Sequence, residues 1–151
     1  MVLVEPEIPP NTGNVGRLCA ATRCRLHLVG PLGFSLDDKH LRRAGLDYWP
    51  HVDYRAYRDW TAFESEGGLA GGRAFFFSAR ASRSYLEVSY RPGDWLVFGK
   101  ESSGLPPALL ERNRERVFRI PVLTERVRSL NLANAVAIVV YEALRQTVLA
   151  R

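Results

Sequence analysis

Short apolar runs separated by turn residues set the framework of this chain. Val2–Val4 reads as a strand, and Glu5-Pro6-Glu7-Ile8-Pro9-Pro10 ends it, because proline brings no amide to a ladder. A helix is predicted from there to about Arg23, capped by Asn11 or Thr12, with Val15, Leu18, Cys19 and Thr22 recurring at three-to-four-residue spacing. Leu26–Val29 is a second strand closed by Gly30-Pro31-Leu32-Gly33, and a short basic helix is expected from Asp37 or Asp38 through Arg43, ended by Gly45. Residues 54–66 read as a further helix, followed by a glycine-rich break at Gly67-Gly68 and Gly71-Gly72. Ala74–Ser78, Trp95–Phe98 and Val117–Val122 are apolar runs between turns, the pattern of strands covered by helices on both faces. Helices alternating with such strands, without repeats, give an α/β architecture with a mostly parallel sheet.

The last segment, about Leu130 to Leu149, is expected to be the longest helix. Its apolar residues surround nearly the whole first half, from Leu132 and Ala133 through Val136–Tyr141 to Leu144, where a surface helix would show one stripe. One side is expected to pack on the sheet and the other on a second copy of the chain, giving a homodimer.

Composition narrows the class. At 151 residues the chain fits one domain, residues 1–151, and 46% hydrophobic with 25% charged residues belongs to a packed fold rather than a disordered one. The net charge of +5 suits a polyanionic partner, and it is unevenly placed: residues 1–75 balance nine Lys/Arg with nine Asp/Glu, whereas 76–151 carry twelve against seven. Nineteen of the 21 basic residues are arginine, which forks onto phosphate; genome composition would produce the same bias. Cys19 and Cys24 lie on or just after one predicted helix in a geometry awkward for a disulfide, and no His or Cys cluster has metal-ligand spacing. Met1–Pro6 has no basic n-region and only a four-residue apolar start, so no secretory signal is expected, and the longest apolar stretch, Leu130 to Tyr141, is shorter than the ~20 residues of a membrane span, so the chain is expected to be soluble and cytoplasmic.

Three segments carry candidate chemistry. In Asn11-Thr-Gly-Asn14-Val-Gly-Arg17, polar groups recur on the first turns of a helix; helix N-termini attract anions and an arginine further in forks onto phosphate, although a polar cap with a solvent-facing arginine has the same pattern. Phe98-Gly-Lys-Glu101-Ser-Ser-Gly104-Leu-Pro106 runs from a strand's C-terminal end into a glycine-bracketed loop, which suits either a ligand or a plain turn. The third is Ile120-Pro-Val122, a linker to Arg128, then Ser129-Leu-Asn131-Leu-Ala-Asn134-Ala-Val136. Capping explains one of its asparagines and leaves the other to backbone bonding or a ligand loop. No dinucleotide or Walker loop is present, and His27, His40 and His51 sit in unrelated contexts.

Taken in order, the three segments resemble the signature motifs of the SPOUT superfamily: Asn-x-Gly-x-x-x-Arg, Phe-Gly-x-Glu-x-x-Gly-Leu, and Ile-Pro followed by Ser-Leu-Asn-Leu-Ala-Asn-Ala-Val. Over nearly its whole length the chain is similar to the minimal tRNA wobble-nucleotide 2'-O-methyltransferases, matching at Glu5–Asn14, Arg25–Leu28, Asp38–Tyr48 and Val140–Gln146. The resemblance implies an α/β fold with a C-terminal deep trefoil knot, a homodimer through the C-terminal helix, and S-adenosyl-L-methionine as methyl donor without a metal. It implies cofactor contacts, chiefly through backbone groups, at Phe77, Ser78, Gly99, Glu101, Ile120, Val122, Ser129 and Leu130. Arg17 takes the family's catalytic position, with Asn11 and Asn134 organising the site and Tyr141 near the acceptor. Arg42 and Arg43, with Arg17, are the expected contacts to the tRNA anticodon stem-loop. Gly16 stands where larger apolar residues are common in the family, and Lys100 occupies its variable place. Methylation of another tRNA position or of ribosomal RNA is the alternative within the class, and a catalytically silent RNA-binding dimer the alternative outside it.

Overall fold

A computed structural model describes residues 1–36 and 48–149; the helix expected near Asp37–Arg43, with Arg42 and Arg43, lies outside them. Seven strands form one sheet in which every pairing is parallel. They are β1 (Val2–Val4), β2 (Leu26–Val29), β3 (Tyr54–Tyr57), β4 (Ala74–Phe77), β5 (Arg83–Ser84), β6 (Trp95–Phe98) and β7 (Val117–Arg119), in spatial order β3-β2-β1-β6-β4-β7-β5. The described α-helices are α1 (Pro9–Thr22), α2 (Trp60–Ser65), α3 (Pro107–Arg112) and α4 (Leu132–Thr147).

Alternation along the strands explains the layers, since successive side chains leave a strand on opposite faces. Leu3, Leu28, Phe75, Phe77, Leu96, Phe98 and Phe118 point to one face, where they meet Val15 and Cys19 of α1 and Val136, Val139 and Val140 of α4. Val2, Val4, Val29, Phe76 and Val97 point to the other, against Phe63 of α2 and Leu109 of α3. Both faces are therefore dry, and β1, β2 and β4 are buried at every position, as continuous apolar runs require.

Several boundaries differ from the sequence expectation, each for a physical reason. Residues 54–66 are not one helix: Tyr54–Tyr57 pairs with Leu26–Val29 as an edge strand, and Asp59 then caps α2, accepting from the Ala62 amide at 2.8 Å. The strand's apolar pattern is weak because only Tyr57 is buried. β7 ends at Arg119 rather than Val122, and β5 has only two residues and no pattern to announce it. α4 begins at Leu132 behind Asn131 and ends at Thr147, inside the expected span. α1 begins at Pro9, earlier than an Asn11 or Thr12 cap would allow; its N-cap is Ile8, which has no side chain to cap with, and Asn11 and Thr12 are buried within the first turn.

Gly16 has a packing reason. A Cβ there would lie 2.7 Å from the Trp49 ring, so the missing side chain lets Trp49 seat against α1.

Candidate functional site

The sheet brings three loops to one rim. Phe77 pairs with Phe98 and with Phe118, so the residues that follow them, Ser78, Gly99 and Arg119-Ile120, leave adjacent strand ends; the Ser78 amide still donates to the Phe118 carbonyl at 2.9 Å. The Phe77 and Phe98 rings stack beneath this rim, with centroids 4.6 Å apart. The C-terminal edge of a parallel sheet is where α/β proteins place ligands, since the loops there diverge above a rigid floor.

Gly99 is fixed by a close backbone approach. A Cβ on it would meet the Gly104 carbonyl carbon and the Leu105 nitrogen, each at 2.1 Å, so the loop can fold back on itself only over a glycine. The Gly104 amide donates to the Lys100 carbonyl at 2.9 Å, and Gly104 closes the turn in the left-handed region with φ of 76°.

Side chains then clasp this loop to the start of α1. Prolines at 9 and 10 have no amide, so the donors left over at the helix entrance are Glu7 and Ile8. The Glu101 carboxylate accepts both, from Glu7 at 2.8 Å and from Ile8 at 3.2 Å. Glu7 returns the bond, its carboxylate accepting the Ser102 amide at 3.0 Å and the Ser102 hydroxyl at 2.9 Å. The Ser102 hydroxyl, then its amide, holds the Glu7 carboxyl below the usual range. Lys100 adds an ion pair to Glu5 at 2.8 Å, and that hydrogen bond and charge raise its ammonium pKa. Here the anion at the helix entrance is the protein's own.

From Glu101 the bonding continues into the third segment. The buried Asn11 donates from Nδ2 to Glu101 Oε1 at 3.0 Å and accepts at Oδ1 from Asn131 Nδ2 at 2.9 Å. Asn131 in turn caps α4, its Oδ1 accepting the Ala133 amide at 2.9 Å and the Asn134 amide at 3.3 Å. One chain of bonds thus runs from the entrance of α1, through the 99–104 loop, to the entrance of α4. All three sequence segments are tied by it. Asn131 stands outside the set of site residues expected from sequence, which holds Asn134, itself exposed; the cap position directly before an apolar helix is the signal that marks Asn131.

The remaining candidates lie around this frame. Arg17 is exposed on α1, its guanidinium 4.4 Å above the Tyr48 ring, and Tyr48 is anchored by its hydroxyl to the Gly13 carbonyl at 2.6 Å. Arg17 forms no ion pair among the described residues. Ile120 and Val122 are half-buried, Ser129 and Leu130 are exposed just before Asn131, and Tyr141 is 52% exposed on α4. The structure therefore gathers Phe77, Ser78, Gly99 and Ile120 at one rim, and links Glu101 and Asn11 to the segment carrying Ser129 and Leu130. Arg17 and Tyr141 stay outside this bonded frame among the described residues.

Half-covered apolar side chains beside glycine-loop backbone fit a nucleoside with an apolar ring and a polar edge. Leu123 is 97% exposed, and Val127 and Leu130 are uncovered in the same loop. Because the Glu101 carboxylate is already engaged by three donors, the grip on such a ligand would come from backbone groups of 78, 99, 120 and 122 and from apolar contact. Among the described residues no group of three His, Cys, Asp or Glu could hold a metal, and no helix is long and apolar enough to cross a membrane.

Comparison with known proteins is consistent along the chain. The sequence profile of the SpoU rRNA Methylase family matches residues 1–141. A tRNA (cytidine(34)-2'-O)-methyltransferase of Burkholderia pseudomallei (strain 1106a) is 54% identical over 147 residues, covering 97% of this chain and 94% of its own length. A protein of the same name from Saccharophagus degradans is 51% identical over 147 residues, with 97% and 94% covered. A solved structure concerned with 2-OH methylation of C/U34 on tRNA superposes with a TM-score of 0.88 at 50% identity, over 99% of this chain and 95% of that one. An AdoMet-bound rRNA methyltransferase from Sinorhizobium meliloti is 26% identical with a TM-score of 0.81, and this chain spans 54% of it.

Proposed function

The chain belongs to the SpoU rRNA methylase family, and on that footing we propose that it transfers the methyl group of S-adenosylmethionine to the ribose 2'-hydroxyl of nucleotide 34, cytidine or a modified uridine, in a tRNA. The observation that carries the reading is the bonded frame Glu101–Asn11–Asn131, which sets the loops at the sheet's C-terminal rim and the Arg17 helix in one fixed relation. High identity over the whole length of relatives named for this reaction supports the acceptor.

When bound, the methyl donor supplies a sulfonium carbon open to attack. The residues of this chain would then have three tasks: to seat that donor, to hold the acceptor oxygen facing it, and to ease release of the hydroxyl proton to water. Phe77, Ser78, Gly99, Ile120, Val122, Ser129 and Leu130 do the first, with Glu101 fixing the loop. Arg17 does the second and part of the third. A guanidinium is a poor proton acceptor, whereas its charge orients a phosphate and stabilises oxyanion character on the attacking oxygen. Stacking on Tyr48 restricts its swing. Asn11 and Asn134 organise the site in this reading, and Tyr141, exposed on α4, is assigned to the acceptor nucleotide.

The working form in this reading is a cytoplasmic homodimer through α4. Ile138 at 36% and Tyr141 at 52% exposure leave an apolar stripe uncovered, which continues into Val148 and Leu149. The trefoil knot belongs to the same reading, which the packing of α4 beside α1 supports. Ribosomal RNA is the second acceptor to consider, because the family's profile carries that name.

Incubation of the purified protein with labelled methyl donor and anticodon stem-loops tests the proposal. The expected product is a 2'-O-methylated nucleotide 34 found by mass mapping after nuclease digestion. Label appearing only in ribosomal RNA, or in another tRNA position, would replace this acceptor, and failure to bind the donor at millimolar concentration would leave an RNA-binding dimer.

A further inference from the structure

Two groups of arginines contrast in their partners. Along the β3 edge each has a carboxylate: Arg25 meets Asp53 at 2.8 Å, Arg55 meets Glu66, and Arg58 meets Asp59 at 2.8 Å. On the loops that follow β4 and β7 the situation is reversed. Arg80, Arg119, Arg126 and Arg128 are all exposed, and none of them forms an ion pair among the described residues.

These four lie on the loops that leave the C-terminal ends of β4 and β7. Arg80 sits on a tight turn at the end of β4, where its amide donates to Ser78 Oγ at 3.3 Å and the Ala81 amide to the Ser78 carbonyl at 3.2 Å. Arg119 ends β7, the strand next to β4, and pairs with Ser84 of β5 on its other side. Neighbouring strands are about 4.8 Å apart, so the two arginines leave adjacent strand ends. Arg126 and Arg128 follow in the exposed loop that leads to α4. Residues 79–84 and 119–128 together hold five arginines, counting Arg83, against the single acid Glu125. Arg83 differs from the others, being tied to Glu87 and to the Glu115 carbonyl.

Grouped like charges without partners oppose the compact state, and folding alone gives no reason to collect them here. A polyanion gives one, and four guanidiniums on loops beside a nucleoside site offer the forked donors that phosphodiester oxygens accept. We propose that Arg80, Arg119, Arg126 and Arg128, on the loops that leave β4 and β7, form a second RNA-backbone surface, which grips substrate phosphates distant from the reacting nucleotide. This surface rests on the RNA-methyltransferase reading and adds to Arg17 a binding face on the β7 side.

The test uses Arg80→Ala/Arg119→Ala and Arg126→Ala/Arg128→Ala in the full chain, with Arg80→Lys/Arg119→Lys as a charge-keeping control for folding. Binding of a full-length tRNA transcript is followed by fluorescence anisotropy across a salt series, and S-adenosylmethionine binding by calorimetry. Each alanine pair is expected to weaken tRNA binding about tenfold near ~150 mM salt and to lower the salt slope by about one for every phosphate no longer held, with cofactor affinity unchanged. The lysine pair should keep most of the slope. Unchanged tRNA affinity and slope overturn the proposal, and so does a parallel loss of cofactor affinity, which would move these arginines into the donor pocket. If the wild type binds tRNA through these residues yet methylates nothing, the enzymatic reading fails while the surface stands; if methylation proceeds and the alanine pairs bind tRNA normally, the surface alone fails.

Discussion

Replacing Asn11 by alanine separates a structural frame from a decorative polar residue. The side chain is 7% exposed and spans two partners, donating to the charged Glu101 at 3.0 Å and accepting from Asn131 at 2.9 Å. A hydrogen bond to a charged group contributes about 1.5–3 kcal/mol and a neutral one about 0.5–1.5 kcal/mol. The second belongs at the low end, because Asn131 is exposed and water replaces Asn11 there. Alanine returns up to about 0.7 kcal/mol of helix propensity, so the net loss is about 2 kcal/mol. Asn14→Ala is the internal control: it receives the same propensity gain on the same helix, is exposed, and has no side-chain bond to lose among the described residues. Urea unfolding at one protein concentration should place Asn11→Ala well below the wild type and Asn14→Ala level with it or above. Asn11→Asp should be worse than alanine at neutral pH, since it sets a carboxylate against Glu101 Oε1. Equal midpoints for Asn11→Ala and Asn14→Ala would refute the frame.

Three further perturbations act at single sites. Gly99→Ala puts a methyl 2.1 Å from the backbone of Gly104 and Leu105, so the 99–104 loop must open, and calorimetry should find donor affinity abolished while circular dichroism still shows the sheet. Burial, then the nearby N-terminal ammonium and Arg25, pushes His27 down to about 4, so the native state stays neutral where the unfolded chain, near pH 6.5, takes up a proton. Its contribution is therefore present above about pH 6.5 and lost as the pH falls toward 4; His27→Phe should flatten that limb of a stability–pH curve, and an unchanged slope would reject the assignment. Ile138→Glu with Tyr141→Glu places charge on the exposed stripe of α4 and should shift the proposed dimer to the monomer in sedimentation, whereas a wild type that is monomeric, or a variant that still dimerises, would exclude that face.

What could be read in the chain and what could not divide along physical lines. β1, β2, β4 and β6 announce themselves because both faces are covered and every position is apolar or nearly so. β3 hides, since an edge strand with one buried residue in four carries almost no period, and the Asp59 cap that separates it from α2 looks like one more polar residue. β5 is set by two pairs with β7 and nothing local. The frame is less legible still: Glu101 reaches Asn11 across 90 positions and Asn131 reaches it across 120, and no local pattern encodes such pairings. Sequence could mark Asn131 and Asn134 as unusual together, but only the position of the helix start decides which is the cap.

That frame also changes what α1 contributes to catalysis. A helix entrance with exposed amides would draw a substrate phosphate to Asn11, yet two prolines have removed donors there and Glu101 takes the amides of Glu7 and Ile8. A second anion would meet a carboxylate instead of a field that favours it. In the proposed mechanism phosphate binding falls to a positive group farther along, and Arg17, about 9 Å on at 1.5 Å per residue, is a cation of α1 with no carboxylate beside it among the described residues. Glu101 and Arg17 are in this sense complementary. The carboxylate holds the helix by its entrance so that the guanidinium, stacked on Tyr48, keeps a fixed position relative to the rim loops. Loss of Glu101 would therefore damage turnover even where the arginine is untouched.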